Sequence, residues 1–170
     1  MISSAYIAEM ASYSRWQNDQ VYDVCDRIAP EERTRDRGLF FGSIHNTLDH
    51  ICGVNQSILT FLDGSLPERN VDRQPKWPEW GRLKSFRLEQ DKFLADAALV
   101  WSDDWLSGKT VKSDPKGPDL PAVPRWVMVV QLFNHQTHHR SQVTTALHSM
   151  GERYGSTDMP WRPGAGYFAG

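Results

Sequence analysis

The chain has 170 residues, of which 39% are hydrophobic and 24% are charged, and its formal net charge is −2. This length suits one globular domain, and seven Trp, five Tyr and seven Phe argue against disorder. The slightly acidic balance gives no support for a direct nucleic-acid binder, which usually carries a basic face. No apolar run of about 18 residues predicts a membrane-spanning helix. The first residues lack the basic and apolar regions of a signal peptide, so we expect a cytoplasmic protein.

The first two predicted helices follow from apolar residues that recur every three or four positions. One such stripe predicts a helix from Ser4 to about Ile28, and Pro30 should end it. After a charged connector, a second stripe predicts a helix that reaches Leu62 and stops at Asp63–Gly64. The stripes consist of Tyr6, Met10, Tyr13, Val21, Val24 and Ile28 in the first helix and Ile44, Leu48, Ile51, Ile58 and Leu62 in the second.

Proline-rich connectors flank the third predicted helix, whose apolar stripe runs from Leu83 to Trp101. Residues 64–79 precede it and form a loop, because Pro67, Pro75 and Pro78 forbid a long helix there. Residues 102–124 follow it and contain Pro115, Pro118, Pro121 and Pro124. We expect at most a short strand in this second connector, at Lys109–Lys112.

The fourth predicted helix begins near Pro124 or Arg125, with proline in the first turn, and closes at Gly151. Four long helices without a convincing strand predict an all-α fold, a four-helix bundle whose long connectors permit a crossover. Residues 1–151 form the bundle in this prediction. Residues 152–170 form an extended tail packed on it through Trp161 and Tyr167, and a second subunit covering Trp161, Tyr167 and Phe168 is the alternative.

The placement of the histidines indicates where chemistry could occur. His135 and His139 are four residues apart, so a helix presents both on one face, as helical metal sites require. His138 lies about 100° around the helix from His139 and need not share the site. A catalytic ion usually takes three protein ligands, and His50 on the second helix is the best third candidate. The sequence therefore predicts a divalent metal site at His50, His135 and His139.

Other catalytic designs are missing from the sequence. The Glu-x-x-His pairs of di-iron bundles, the zincin motif, the nucleotide-binding glycine loops and the serine elbow do not occur. Cys25 and Cys52 show no motif spacing and are expected to be buried, reduced thiols. Any catalysis should therefore depend on a water or a thiol bound by the ion.

Three sequence blocks resemble the DinB family, within the DinB/YfiT-like group of metalloenzymes. They are residues 13–18 (YSRWQN), residues 38–50 (GLFFGSIHNTLDH) and residues 134–142 (NHQTHHRSQ), the last being the most specific. The blocks occur in the family's order and span nearly the whole chain. The resemblance implies a four-helix bundle with a long crossover, a homodimer, and one nickel or zinc ion. It also implies the same three ligands, His50, His135 and His139.

Several neighbouring residues are candidates for supporting the ligands or for contacting a substrate. They are Asn134, His138, Arg140, Gln142 and Asn55, and the alternative for these residues is ordinary hydrogen bonding on the helix surface. The family usually has Asp at the position of Asn55, Asn at Ser14 and Asp49, and Gly at Ser141. The change at Asn55 removes a carboxylate that could orient the site.

The sequence leaves the reaction open, because a fold resemblance does not specify chemistry. The wider group includes transferases and isomerases that use low-molecular-weight thiols, which favours a metal-dependent thiol transferase. A metal-dependent hydrolase is a second interpretation. A metal-binding protein or damage-response interaction protein without turnover is a third. Three ligands with an open position favour catalysis over a closed structural site.

Overall fold

The computed structural model describes residues 2–64, 74–112 and 120–167, and it confirms the all-α prediction. Within these ranges four long helices are joined by two short helices and a small hairpin. The helices are α1 (Ser4–Arg27), α2 (Pro30–Thr34), α3 (Ile44–Leu62), α4 (Trp80–Val100), α5 (Asp103–Ser107) and α6 (Arg125–Ser149), with a 3-10 turn at Met159–Trp161.

Local capping residues explain where the helices begin. Ser3 accepts a hydrogen bond from the backbone N–H of Tyr6, and Ser43 accepts one from Asn46, so both serines cap a helix N-terminus. The first helix ends at Arg27, as predicted, but Pro30 also begins the short helix α2. Proline suits this position because the first helical N–H has no partner within the helix.

A two-stranded antiparallel hairpin lies between α5 and α6. Its strands are β1 (Lys109–Lys112) and β2 (Leu120–Pro124), paired with Lys109 opposite Pro124 and Lys112 opposite Leu120. The first strand confirms the short strand expected there, whereas the second was not predicted. The prolines of β2 concealed it, because proline in a strand is tolerated only at edges and strand starts.

The long helices contact one another in a ring, α1 with α4, α4 with α3, α3 with α6 and α6 with α1. They enclose two apolar clusters. One contains Val21, Cys25, Ile44, Leu48, Leu83, Val143 and Leu147 among its members. The other contains Ile7, Ala11, Ile58, Leu62, Leu94, Leu132 and Phe133.

A layer of buried polar residues separates the two clusters along every long helix. In α1, α3, α4 and α6 the polar residues lie in sequence between members of one cluster and members of the other. The layer consists of Ser14, Gln17 and Asn18 on α1, Asn55 on α3, Arg87, Gln90 and Asp91 on α4, and Gln136 and Arg140 on α6. Such groups are costly to bury unless they are hydrogen-bonded.

Hydrogen bonds across the polar layer join all four helices. The amide of Asn18 donates to Asp91 (2.9 Å) and its oxygen accepts from Arg140 (3.2 Å), so α1 connects α4 with α6. Asp91 also accepts from Arg87 at 2.7 Å. Gln90 donates to the carbonyl of Cys52 at 2.9 Å, which joins α4 to α3.

Polar contacts hold the C-terminal segment, residues 152–167, against α1. Tyr13 donates to the carbonyl of Thr157 (2.9 Å), and Gln17 donates to that of Ser156 (2.9 Å). Arg162 pairs with Glu9 at 2.9 and 3.0 Å. The aromatic side chains expected to cover the helices, Trp161 and Tyr167, are instead exposed.

Phe168 and Pro67 lie outside the described residues. No helix in the described ranges is long and apolar enough to cross a membrane.

Replacing Asn18 with alanine should destabilise the protein strongly, because Arg140 and Asp91 would both lose a buried partner. We expect the free energy of unfolding to fall by about 3 kcal/mol, the range for leaving buried charged groups unsatisfied. Urea denaturation followed by circular dichroism measures this change. Asn134→Ala, at an exposed position of α6, is the matched control and should stay within about 0.5 kcal/mol of the parent. Equal effects of the two substitutions would contradict the structural role of the layer.

Candidate metal centre

Three histidines from two packed helices converge at one point. His50 lies on α3, and His135 and His139 lie one turn apart on α6. Each offers one ring nitrogen, and the three nitrogens all lie within 4.8 Å of one another. The Nε2 atoms of His50 and His135 are 3.1 Å apart. These are the three residues that the spacing and the resemblance single out.

The nitrogen spacing fits a divalent ion. Two imidazole nitrogens bound at 2.0–2.1 Å to a tetrahedral ion lie about 3.3 Å apart, close to the distance between His50 and His135. Neutral imidazole is a good ligand for zinc, nickel and copper. Within the described part of the chain the cluster contains no carboxylate or thiol, and three histidine ligands leave at least one coordination position of a tetrahedral ion for another molecule.

Two neighbouring side chains orient the histidine rings. Gln142 Oε1 lies 2.9 Å from His139 Nδ1, and since the amide oxygen can only accept, His139 donates from Nδ1. The lone pair of neutral His139 is therefore on Nε2. The Phe41 ring stacks on His50, with ring centres 3.8 Å apart and planes 26° from parallel. His135 has a buried Nδ1 without a hydrogen-bond partner among the described residues.

Burial keeps the three imidazoles neutral. Burial, with a smaller contribution from the charge of His139, lowers the pKa of His50 to about 4. Burial also lowers the pKa of His135 to about 4, with the other histidines adding to the effect. The pKa of His139 is lowered by burial despite its hydrogen bond to Gln142. All three lone pairs are thus available at neutral pH, as metal ligation requires.

The remaining histidines lie apart from the cluster or at its edge. His45 is buried, with Nε2 at 2.9 Å from the carbonyl of Trp77. His148 is exposed near the end of α6. His138 is exposed, and its ring packs edge-on against His139 with centres 4.7 Å apart.

The predicted supporting residues occupy different environments. Gln142 contacts a ligand candidate directly, whereas Asn134 is exposed. Arg140 belongs to the buried polar layer and bonds to Asn18 and Gln136. Asn55 also belongs to that layer and donates to Gln90 at 3.4 Å.

The sequence pattern assigned no role at the site to two residues that the structure places there. Phe41 lies in a turn between Gly38 and Gly42, both at positive φ, so the turn brings an aromatic ring onto His50. Asp49 accepts from the backbone N–H groups of Lys76 (2.9 Å) and Trp77 (2.6 Å). The only sequence signal was the aromatic pair between two glycines, at the start of the second block.

The comparison with known families agrees with this arrangement. The sequence model of the DinB family matches residues 1–165, and the chain therefore belongs to the DinB family. No curated protein matches the chain significantly. The homodimer and the cytoplasmic location stay predictions.

Replacing His139 with alanine should remove most of the bound metal, because two imidazoles hold a divalent ion poorly. We expect the affinity to fall by more than about 100-fold, beyond the range for losing an outer-shell partner. The measurement is the metal content of protein purified without an affinity tag, followed by titration with nickel or zinc. His148→Ala, on the same helix but exposed, is the matched control. Stoichiometric metal in His139→Ala would show that the ligand assignment is wrong.

The stability of the metal-free protein should decrease as the pH falls from about 6.5 towards 4. An unfolded chain protonates its histidines near pH 6.5, whereas folded His50 and His135 have pKa values lowered to about 4. The unfolded state therefore binds protons first, and it gains stability relative to the folded state. Urea unfolding of chelator-treated protein at pH 7, 6 and 5 measures this trend. The double variant His50→Gln, His135→Gln should show a shallower decrease, and identical slopes would argue against the buried neutral pair.

Proposed function

We propose that this DinB family protein binds one divalent ion, nickel or zinc, through His50, His135 and His139 and transfers a low-molecular-weight thiol to an electrophilic carbon. The S–H bond of the thiol breaks and an S–C bond forms, while the leaving group departs from the carbon with its electron pair and the thiol proton passes to it or to solvent. The observation that supports the proposal is the convergence of three neutral imidazole nitrogens within 4.8 Å. A divalent ion held by these three residues would supply open coordination positions and would lower the pKa of a thiol or a water there.

The protein residues hold the ligand atoms in place. Gln142 fixes the tautomer of His139, so that Nε2 carries the lone pair. Phe41 covers one face of His50 and excludes water from it. Burial keeps His50 and His135 unprotonated at neutral pH.

The chain's own thiols are poor nucleophiles. Burial raises the pKa of Cys25 to about 12, and it raises the pKa of Cys52 to the same range. Thiolates, not thiols, attack electrophiles, so both cysteines are inert in the folded protein. This supports an exogenous thiol as the nucleophile.

The composition of the cluster favours thiol transfer over hydrolysis. Among the described residues the group contains no Asp or Glu beside the three histidines, and the carboxylate of Asp49, next to His50 in the sequence, accepts from the backbone N–H groups of Lys76 and Trp77. A carboxylate is one of the general bases, besides histidine, that can take a proton from an attacking water, and the three histidines are engaged if they bind an ion. A thiol has a lower intrinsic pKa than water and depends less on such a base. Hydrolysis and metal binding without turnover are accordingly the alternatives that the assay must separate.

The test is turnover by nickel- or zinc-loaded protein with a panel of low-molecular-weight thiols and electrophiles. We expect thiol-dependent product formation that disappears with a chelator and in His135→Ala, because that variant loses a ligand. His148→Ala should retain the rate of the parent. Hydrolysis of ester, amide or lactone substrates without a thiol would favour a hydrolase. No rate above the uncatalysed background with any substrate would favour a metal-binding protein without turnover.

A further inference from the structure

A cavity of about 740 Å³ opens beside His50 along the outer side of α3. Its volume falls within the range of small-molecule sites. His50 forms part of its wall, and the Phe40–Phe41 turn and the segment Gln74–Lys76 line it as well. A molecule in this cavity would therefore reach the histidine cluster from the α3 side.

The Phe40–Phe41 turn gives the cavity an apolar wall. Phe41 packs on His50, and the ring of Phe40 meets Phe41 edge-on with centres 4.9 Å apart. Phe40 itself is 78% exposed, so its ring contributes little to the core. An apolar group bound against it would remove this surface from water, which is favourable.

The segment Gln74–Lys76 brings a positive charge to the cavity lining, which also includes the carboxylate of Asp49. Asp49 accepts from the backbone of Lys76 and Trp77 and so holds this segment against α3. The Lys76 ammonium contacts the Gln56 side-chain oxygen at 3.4 Å. Among the described residues, no carboxylate oxygen lies within 4 Å of it. The ammonium also lies 6.0 Å from the centre of the Trp77 ring, and Lys76 lines the cavity.

Gly53 also lines the cavity, beside Lys76. It lies in the middle of α3, where glycine costs about 1 kcal/mol relative to alanine. Packing does not demand glycine here, because an added Cβ would meet only Lys76 Cδ at 3.8 Å, an ordinary contact. The missing side chain instead enlarges the cavity one turn beyond His50.

We propose that this cavity binds a small organic anion, with its apolar body against Phe40 and Phe41 and its negatively charged group at Lys76. The inference deepens the proposed function and rests on it, because such a molecule would present its reacting atom beside His50. The substrate class is then an anionic compound with an apolar portion, and Lys76 and Phe40 determine specificity.

The test compares 3-phenylpropionate with its neutral amide, 3-phenylpropanamide, by calorimetry on the full chain with and without one equivalent of zinc. We expect the anion to bind about tenfold more tightly than the amide, equivalent to about 1.4 kcal/mol. Lys76→Gln should abolish this preference, whereas Lys92→Gln, an exposed lysine on α4, should keep it. Equal affinities for the two compounds in the parent protein, or a preference that survives Lys76→Gln, would overturn the proposal.

Variants that fill the cavity provide a second, independent test of the proposal. Gly53→Leu should weaken both compounds at least tenfold while zinc still binds with one-to-one stoichiometry. Ser57→Leu fills the same cavity from the next turn of α3 and replaces Gly53→Leu if that variant does not fold. Unchanged affinity in a folded filling variant contradicts the cavity assignment. Failure of zinc binding in the parent chain instead contradicts the metal site, so the two proposals are separated.

Discussion

A guanidinium buried among four helices must find acceptors, and Arg140 finds them in Asn18 and Gln136. Burial lowers the pKa of Arg140 to about 10, so the group still carries its charge at neutral pH. Gln136 lies on α6 with Arg140, so rotating α6 about its axis would separate the charge from Asn18, its acceptor on α1, at a cost of several kcal/mol. His139 directly precedes Arg140 in α6. The orientation of α6 that places Arg140 beside Asn18 therefore also determines where the side chains of His135 and His139 point.

The same layer relates α3 to the other helices. Asn18 connects Arg140 to Asp91 on α4, and the neighbouring Gln90 bonds to the backbone of Cys52 on α3. His50 lies two residues before Cys52, so its backbone is held near a fixed point of the network. Apolar contacts alone tolerate small rotations and slips, since burial is not directional. Directional bonds in the middle of the core therefore give the cluster the precision that metal ligation needs.

The sequence predicted the parts of the protein that depend on local pattern. Apolar periodicity located the long helices, and the spacing of His135 and His139, with His50 opposite, identified the cluster. The contacts that the sequence did not predict depend on partners far away in the chain. Nothing near Arg140 in the sequence indicates that it faces Asn18 instead of the site, and nothing in the tail indicates that Ser156 and Thr157 offer carbonyls to α1. Strand β2 was hidden because its proline content resembles that of a loop, while its pairing depends on β1.

Both cysteines belong to the apolar cluster that also contains the first turns of α3, and Tyr22 contacts Cys52 there at 3.8 Å between oxygen and sulfur. The other cluster contains no cysteine among its buried members. A thiol reagent can therefore modify the folded chain only when the cysteine-containing apolar cluster opens. The rate of such labelling would measure how often this cluster opens while the other cluster stays closed. It would also report on the mobility of the helix that carries His50, without a probe being added to the site.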